Sequence, residues 1–370
     1  SGAPDLRAIG RQMGDIANVM YTSGTTATPK AAIHPHGMRV AMASAMADAF
    51  QLSRRDIALA ISPLFHTSGM SVFSNALFAG CPCILMEKWD LERFVHLIET
   101  EKVTFMHLIS TLIVDIVSAD PALFSRIGNS VRMTWGGGHS INPDLLEEFE
   151  RRVGGTFVQG YARTEGGLCY NSIDKAQRGF VHHGFPNTNS SEIAIFDTAT
   201  GLRCPDGDTG EIAVRGDGVS PGYWDGSFVR VPNTYDGGWQ KTGDLGFIGP
   251  EGALRFLGRT DHMIKTGGEN VYPTEVEAAL LKIRGISDAA VFAVSDIRLG
   301  QKVAAVIVRS DEKLSEAKID KEIRELLGGF KIPRVIAFVP ELPKLGNQKI
   351  DLKMCRAIVE RAREPTLTTQ

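Results

Sequence analysis

The most informative stretch of this chain is a hydroxyl-rich loop that directly follows an apolar run, and it reads Tyr21-Thr22-Ser23-Gly24-Thr25-Thr26-Ala27-Thr28-Pro29-Lys30. Hydroxyl groups, a glycine and a lysine in one loop supply O–H donors, backbone N–H donors and a cation, which suit a bound polyphosphate. The stretch is not a P-loop, because Ala31 follows Lys30 and a second glycine is missing. It predicts a phosphate-binding loop, with a polar surface turn as the alternative.

Around this loop, up to about residue 165, apolar runs of strand length alternate with helical patterns. The strand-like runs cover residues 16–21, 57–62, 83–86, 103–108, 131–135 and 156–159, and the helical patterns cover residues 37–50, 91–101, 111–118 and 143–153. Strands and helices in alternation predict a mostly parallel sheet with helices on both faces. The expected fold class of this part is therefore α/β.

The pattern changes after residue 180. Short strands at residues 192–196, 210–215, 247–248 and 253–256 are separated by Gly, Pro and Asp clusters, which predicts an antiparallel β subdomain over about residues 180–258. From residue 274 onward helical patterns return between strands. We predict a large domain at residues 1–258 and a small α+β domain at residues 259–370, with the boundary near Arg259 and Asp261.

Composition excludes several classes of protein. The 370 residues carry 40 Lys and Arg against 43 Asp and Glu, a net charge of −3, which disfavours a nucleic-acid or general polyanion binder. The longest apolar stretch, residues 103–117, is interrupted by polar residues and is too short to span a bilayer. Five scattered cysteines and an N-terminus without a secretory signal predict a reduced, cytoplasmic setting.

Three further glycine-rich motifs follow predicted strands or turns. In the motif at residues 160–167, Tyr161 can stack on a nucleobase, Thr164 can donate to a phosphate and Glu165 can hold Mg²⁺, although a tyrosine packed under a loop is the alternative. The glycines at 136–138 allow close approach to a flat group, or simply a turn. In the motif at residues 238–246, Asp244 can accept from a ribose diol or cap the turn.

Taken together and in this order, these segments resemble the adenylate-forming superfamily, the group that contains the acyl-CoA synthetases. The resemblance extends from about Tyr21 to Arg356 and rests on at least five separate motifs. It implies stacked, mostly parallel αβ layers plus a β subdomain, joined by a hinge to a small mobile α+β C-terminal domain. It also implies ATP, Mg²⁺ and CoA as cofactors and cosubstrates.

The resemblance implies a role for each residue of these motifs. The family's phosphate loop, which grips the β- and γ-phosphates of ATP, corresponds to Thr22, Ser23, Gly24, Thr25, Thr26 and Lys30. Gly137 and Gly138 match the stretch that lies along adenine, and Tyr161 matches the ring that stacks on it.

Five other positions match family contacts to the nucleotide, the metal and the hinge. Thr164 matches a phosphate contact with a role in catalysis, and Glu165 matches the Mg²⁺ ligand. Asp244 and Arg259 match the two ribose contacts, and Asp261 falls at the hinge.

The remaining matches concern catalysis and thioester formation. Lys349 corresponds to the catalytic lysine of the C-terminal domain, and an exposed loop lysine is the alternative. An ammonium between the acid's carboxylate and the α-phosphate orients both anions and offsets the developing charge. Gly267, Gly268 and Glu269 match a loop that lines the pantetheine tunnel, and His66 matches a histidine beside the acyl pocket and tunnel.

The sequence also departs from the family pattern. Ala27, Ala31, Ala162 and Gln348 stand where family members have glycine. If such a position needs a positive φ, alanine costs on the order of 1 kcal/mol. Only 20 residues precede Tyr21, whereas family enzymes carry a sizeable N-terminal subdomain, so we expect a truncated sequence.

These matches predict an AMP-forming acid–thiol ligase, which converts a fatty or aryl acid into an acyl-adenylate and then into a CoA thioester, as in fatty acid metabolism. The family's pocket segments are residues 66–72, 135–139 and 159–167, and the apolar residues offered there or beside them are Phe65, Met70, Phe73, Trp135 and Leu168. Transfer of the acyl group to a carrier protein and noncatalytic nucleotide binding are the alternatives. The assembly state is open, with a homo-oligomer among the options.

Overall fold

The computed structural model describes residues 10–22, 29–137, 143–170, 184–186, 189–227, 229–345 and 350–363. These residues form two compact units. The first contains the described residues up to 137 together with 148–242 and 247–255, and the second contains 143–147, 243–246 and 256–363. The predicted hinge at Asp261 and the predicted domain limits stay predictions.

The first 170 residues alternate between strands and helices. In chain order these are β1 (Ile16–Thr22), β2 (Lys30–Pro35), α1 (His36–Ala49), β3 (Ala58–Ala60), α2 (Thr67–Ala79), β4 (Cys83–Leu85), α3 (Leu91–Glu101), β5 (Phe105–Ile109), α4 (Ser110–Ser118), β6 (Met133–Gly137), α5 (Pro143–Val153), β7 (Thr156–Ala162) and β8 (Leu168–Tyr170). A short 3₁₀ helix spans Pro121–Arg126.

Short strands dominate the next ninety residues, and helices return after them. The strands are β9 (Phe185–Pro186), β10 (Glu192–Phe196), β11 (Gly210–Arg215), β12 (Tyr223–Trp224), β13 (Val229–Arg230), β14 (Thr234–Tyr235), β15 (Trp239–Ile248) and β16 (Leu254–Arg259). The last part contains β17 (Ile264–Thr266), β18 (Glu269–Val271), α6 (Pro273–Leu280), β19 (Ile286–Asp296), β20 (Gly300–Arg309), α7 (Glu316–Leu326), β21 (Val335–Val339) and α8 (Leu352–Arg363).

The first unit is built on a seven-stranded sheet in the order β4-β3-β5-β6-β7-β8-β9. Strands β4 to β7 pair in parallel, and β8 and β9 extend the sheet in antiparallel fashion. The predicted α/β class with a mostly parallel sheet is therefore confirmed. Five of the six predicted strand runs lie in this sheet.

The sixth run, residues 16–21, was wrongly placed in that sheet. It forms β1, which pairs antiparallel with β2 in a separate sheet in the order β1-β2-β12-β13. The connection from Thr22 to Lys30 is shorter than the dozen residues that a parallel crossover needs, so the two strands can only fold back on each other. The apolar residues Ile16 and Val19 are accordingly exposed.

One face of the parallel sheet is covered by α1 and α2, and the apolar side chains between them are buried. This core contains Met46, Phe50, Val72, Ala76, Phe105, Met133, Trp135 and Val158. Helix α2 ends at Gly80, whose φ of 72° is the left-handed conformation that terminates many helices. Helix α2 was not predicted from the sequence, and His66 is its N-cap residue.

The predicted β subdomain is confirmed as an antiparallel arrangement. Its five-stranded sheet runs β10-β11-β15-β14, with β16 paired to β15. Phe196 and Tyr235 stack with ring centroids 4.4 Å apart, and Trp239 packs beside them. These aromatic contacts fill the small core of the sheet.

The second unit has the predicted α+β character. Its sheet runs β18-β17-β20-β19, and β21 pairs in parallel with β20. Helix α8 was not predicted, and it buries Cys355 and Val359, four residues apart on one helical face, against the sheet core. No helix in the described part of the chain is long and apolar enough to cross a membrane.

Candidate active site

The parallel strands β5, β6 and β7 end at one edge of the sheet, and most of the predicted site residues of the first unit lie at or near that edge. Open parallel sheets bind ligands in the crevice beyond the carboxyl ends of their strands. The register pairs His107 of β5 with Trp135 of β6, and Gly137 of β6 with Gly160 of β7. The edge therefore brings together residues from three separate segments of sequence.

Glycine is required at this edge because neighbouring strands approach closely. A Cβ atom on Gly137 would lie 2.4 Å from the carbonyl oxygen of Gly160. A Cβ atom on Gly160 would lie 2.6 Å from Nε1 of Trp135. The packing of strands explains both glycines, and the predicted contact between Gly137 and adenine stays a prediction.

Glu165 lies in the turn that follows β7, and each of its two carboxylate oxygens contacts a neighbouring side chain. The Tyr223 hydroxyl donates to Oε1 at 2.7 Å, and Nη2 of Arg163 lies 3.4 Å from Oε2. The backbone N–H of Ser220 also donates to the Glu165 carbonyl at 2.8 Å. Strand β12 and the segment before it thus fix both the backbone and the side chain of Glu165.

The carboxylate of Glu165 fits the predicted role of a Mg²⁺ ligand. A carboxylate oxygen can accept more than one contact, so the contacts from Tyr223 and Arg163 are compatible with a role as metal ligand. Within the described segments, no group of three or more His, Cys, Asp or Glu residues could hold a metal by itself. Mg²⁺ is typically bound by one or two carboxylates together with the phosphates of a substrate, which matches a single Glu165.

His34 supports the backbone of Thr164 and was given no role in the sequence analysis. Its Nε2 lies 2.7 Å from the Thr164 carbonyl oxygen, and Nη2 of Arg39 lies 2.7 Å from its Nδ1. An arginine can only donate, so Nδ1 accepts and Nε2 carries the proton that it donates to Thr164. Burial, with Arg39 beside it, lowers the pKa of His34 to about 4, so the ring is neutral.

The hydroxyl-rich loop is described only at its two ends. Thr22 is half-buried at the end of β1, and Lys30 opens β2 with its Nζ 5.4 Å from the centroid of the Tyr223 ring. Other predicted site residues lie outside the described residues: Ser23, Gly24, Thr25, Thr26, Gly138 and Lys349. Tyr161 is described and is buried in β7, and its stacking role stays a prediction.

A cavity of about 170 Å³ opens beside this edge, between the sheet and helices α1 and α2. The helices contribute Met42, Thr67, Ser68 and Ser71 to its wall. The strand ends contribute His107, Ile109, Trp135, Gly137, Gly160 and Ala162, and Arg163, Thr164 and Leu168 complete the wall. The cavity thus adjoins the predicted phosphate and metal residues.

The cavity contains some of the residues that were expected in the acyl pocket, and that assignment stays a prediction. Trp135 and Leu168 line the cavity, whereas Met70 and Phe73 do not, and Phe65 is 71% exposed. These three belong to or precede α2, and a helix turns only part of its residues toward the sheet. His66 is also absent from the cavity wall, although its neighbours Thr67 and Ser68 contribute to it.

His107 lies in the cavity wall and was not named as a candidate from the sequence, and the role of His66 stays a prediction. Alternation along β5 places Phe105, His107 and Ile109 on one face, and this face is covered by α1 and α2. In the sequence, a polar side chain inside the apolar run 103–108 was the feature that could have pointed to this histidine. Burial lowers the pKa of His107 to about 4.

In the second unit, the two predicted ribose residues form an ion pair. Nη1 of Arg259 donates to Oδ1 of the buried Asp244 at 2.9 Å, and the Thr260 hydroxyl donates to the Gly243 carbonyl at 2.9 Å. Asp261, the predicted hinge residue, is exposed, and its Oδ1 lies 3.7 Å from Nε of Arg259. The three residues are therefore neighbours, and their roles stay predictions.

The predicted tunnel loop is the tip of a tight hairpin. Thr266 pairs with Glu269, so Gly267 and Gly268 form a two-residue turn between β17 and β18. Both glycines have positive φ, 59° and 91°, as a type I′ turn requires. Glu269 is exposed at the start of β18.

The glycine replacements at Ala31 and Ala162 carry no backbone strain. The described residues other than glycine with positive φ are Gln51 and Lys102, so neither alanine adopts the conformation that favours glycine. The condition for the expected cost is therefore not met at these two positions. Ala27 and Gln348 lie outside the described residues.

The two buried neutral histidines make the first unit sensitive to acid. The unfolded chain binds protons near the ordinary histidine pKa of 6.5, whereas folded His34 and His107 bind them only near pH 4. Because the unfolded state binds more protons in this window, the free energy of unfolding decreases as the pH falls from 6.5 toward 4. We expect urea denaturation between pH 6.5 and 5 to show this slope, and His34→Gln to reduce it. An unchanged slope in that variant would contradict the assignment.

Comparisons with known proteins identify similar sequences and folds over most of the chain. A family model described as AMP-binding enzyme matches residues 5–224, and one described as AMP-binding enzyme C-terminal domain matches residues 275–349. A 2-succinylbenzoate–CoA ligase of Bacillus cereus is 32% identical over 351 residues, which cover 92% of this chain and 70% of that protein.

Two solved structures are similar over most of the chain. ATP-bound MatB from Rhodopseudomonas palustris has a TM-score of 0.82 and 27% identity, over 94% of this chain and 69% of that one. The o-succinylbenzoate coenzyme A synthetase (MenE) from Bacillus subtilis, in complex with ATP and magnesium ion, has a TM-score of 0.77 and 30% identity, over 92% of this chain and 69% of that one.

The chain therefore belongs to the AMP-binding enzyme family, the adenylate-forming superfamily. Within that family it is an acid–thiol ligase of the AMP-forming class, as the resemblance implied. ATP, Mg²⁺ and CoA are the cofactors and cosubstrates of this class. The names of these relatives do not support the expected link to fatty acid metabolism.

Proposed function

We propose that this enzyme activates a compact aryl acid with ATP and transfers the acyl group to CoA. The observation that carries the proposal is the cavity of about 170 Å³ beside Thr164 and Gly137. A cavity of roughly 150 Å³ accommodates a benzene ring, so this one has room for a single ring. The relatives named 2-succinylbenzoate–CoA ligases act on an aryl acid, which supports the same choice.

The first half-reaction joins the acid to the nucleotide. A carboxylate oxygen of the acid attacks the α-phosphorus of ATP, the bond to pyrophosphate breaks, and pyrophosphate leaves with the electron pair. The hydroxyls of Thr22 and Thr164 and the ammonium of Lys30 hold phosphate oxygens. Glu165 would hold Mg²⁺, which would supply positive charge to the phosphate oxygens.

The remaining residues that match the family pattern have roles in both half-reactions. Asp244, held by Arg259 at 2.9 Å, accepts from the ribose hydroxyls. The ammonium of Lys349 offsets negative charge between the acid's carboxylate and the α-phosphate. In the second half-reaction the CoA thiolate attacks the acyl carbon and AMP leaves, with the Gly267–Gly268 turn beside the pantetheine arm.

Exchange of labelled pyrophosphate into ATP tests this function. We expect exchange that depends on an aryl acid and does not need CoA, and release of AMP that rises when CoA is added. Exchange without any effect of CoA would favour transfer to a carrier protein. ATP binding without exchange for any acid would contradict the proposal and favour a noncatalytic nucleotide-binding role.

A further inference from the structure

Tyr223 contacts two residues to which the proposed function gives a role in binding ATP and its metal. Its hydroxyl donates to Oε1 of Glu165 at 2.7 Å, and the centroid of its ring lies 5.4 Å from Nζ of Lys30. The three residues come from widely separated segments of the sequence. The proposed half-reactions use Lys30 and Glu165 but not Tyr223, although one side chain contacts both.

The backbone of Tyr223 is fixed against β2. Tyr223 pairs with Ala32 across strands β12 and β2, and the N–H of Ile33 donates to the Gly222 carbonyl at 2.9 Å. The buried Ser220 hydroxyl donates to the Ile33 carbonyl at 2.7 Å. A side chain carried by paired strands has a better defined position than one carried by a loop.

The register of this small sheet turns the Tyr223 side chain inward. Met20, Ala32 and Tyr223 lie opposite one another on three neighbouring strands, so their side chains share one face. Met20 and Ala32 are buried, which shows that this face is covered. Trp224 follows Tyr223 on the strand, points to the other face and is exposed. The Tyr223 hydroxyl therefore meets Glu165 on the covered side of the sheet.

The hydroxyl of Tyr223 restricts the orientation of the Glu165 carboxylate. A glutamate side chain is long and rotatable, and that of Glu165 is mostly buried, with 14% of its surface exposed. Hydrogen-bonded partners of metal-binding side chains fix the orientation of those side chains in many metal sites. Loss of such a partner typically costs about 10–100-fold in metal affinity or activity.

The ring of Tyr223 interacts with the Lys30 ammonium in a cation–π contact. Such a contact is weak at an exposed position, and Lys30 is exposed. A triphosphate carries several negative charges, so it attracts the ammonium more strongly than the ring does. The ring therefore orders Lys30 in the empty site and gives up the ammonium when ATP binds.

We infer that Tyr223 is a positioning residue for the binding of ATP with its metal, with separate roles for its hydroxyl and its ring. The hydroxyl orients Glu165 for Mg²⁺, and the ring holds Lys30 for the phosphates. This inference rests on the proposed function, which gives Glu165 and Lys30 those roles. It follows that the hydroxyl contributes to nucleotide binding only when Mg²⁺ is present, whereas the ring contributes with or without the metal.

Binding of the α,β-methylene analogue of ATP, which cannot be cleaved between its α- and β-phosphates, tests the inference without turnover. Calorimetry gives its dissociation constant in Mg²⁺ and in EDTA. Tyr223→Phe removes only the hydroxyl, and we expect it to weaken binding about tenfold in Mg²⁺ and not at all in EDTA. Tyr223→Leu also removes the ring and should weaken binding in both conditions.

The exchange assay provides a second measurement. Tyr223→Phe should raise the Mg²⁺ concentration that gives half-maximal exchange by about tenfold. At saturating Mg²⁺ its rate should return close to that of the wild type, because excess metal compensates for a poorly oriented ligand. A tyrosine that only supported the fold would not give a defect that Mg²⁺ corrects.

Two further variants make the comparison specific. In Glu165→Gln the Tyr223 hydroxyl can still donate, but the charged metal ligand is gone, so adding Tyr223→Phe should change binding in Mg²⁺ by less than about twofold. Tyr235→Phe is the matched control, because the Tyr235 hydroxyl also donates to a glutamate, Oε2 of the buried Glu211, at 2.7 Å. This pair lies in the β subdomain, and its loss should leave the Mg²⁺ dependence unchanged.

The outcomes separate this inference from the proposed function. Equal binding by the wild type and Tyr223→Phe in Mg²⁺ would overturn the inference and leave the ligase function intact. An equal loss in Mg²⁺ and in EDTA would also overturn it, because the hydroxyl would then act without the metal. Absence of acid-dependent exchange in the wild type would contradict the proposed function itself, and it is recognised without any variant.

Discussion

Glu165→Gln is expected to lower the rate of acid-dependent ATP–pyrophosphate exchange by about 10²–10³-fold, the scale seen when one electrostatic contact to a transition state is removed. Glutamine has nearly the same shape and can still accept from the Tyr223 hydroxyl, which donates to Glu165 at 2.7 Å. The loop should therefore keep its position. The variant loses the negative charge that a Mg²⁺ ligand needs, and exchange measured over a range of Mg²⁺ concentrations should show this loss.

A matched carboxylate serves as the control for this prediction. Glu192 also pairs with an arginine, with 2.8 Å between its Oε2 and Nη2 of Arg215, but the pair is exposed on the β subdomain. Glu192→Gln should leave the exchange rate unchanged. If Glu165→Gln kept the rate within about threefold of the wild type, Glu165 would not be the essential metal ligand.

Gly69→Ala is expected to lower the free energy of unfolding by more than about 3 kcal/mol, among the largest effects of a single substitution. A Cβ atom at this position would lie 2.1 Å from the Ser62 carbonyl oxygen and 2.5 Å from that of Pro63. Both neighbours are backbone atoms, which cannot rotate away. Helix α2 must therefore shift as a whole, and it carries one wall of the cavity beside the strand ends.

Denaturation in urea measures this effect, and another glycine provides the comparison. Gly128 has no atom within 4 Å of an added Cβ, so Gly128→Ala should change the stability by only a few tenths of a kcal/mol. A midpoint for Gly69→Ala equal to that of the wild type would show that α2 can move at little cost.

The fold was largely predictable because strand and helix periods are local properties of the sequence. Helix Leu91–Glu101 was predicted with its observed limits, since Asp90 caps it and its apolar residues recur at helical spacing. The partner of β1 was not predictable from its apolar pattern, because pairing depends on the length of the following connection. Helix α2 was missed since its sequence, with Thr67, Ser68 and Ser71, lacks a clear apolar stripe.

The residues of the candidate site also differ in how far the sequence predicts them. Motif residues such as Glu165 and Asp244 could be named because each stands beside glycines in a short recognisable pattern. His34 could not be named, since its importance comes from a contact across 130 residues. His107 gave only the weak signal of a polar residue in an apolar run, because its place in the cavity wall depends on strand register. Register and long-range hydrogen bonds are set by packing and leave little trace in local sequence.

The hydrogen bond from His34 to Thr164 joins two segments of the candidate site. Strand β2 begins with Lys30 and contains His34, so the exit of the hydroxyl-rich loop and the turn before Glu165 are tied to one rigid element. The two segments therefore lose much of their conformational entropy when the protein folds, and they lose less when a ligand binds. A triphosphate would meet two segments that are already aligned, and weakening the His34 contact should reduce the affinity contributed by both of them together.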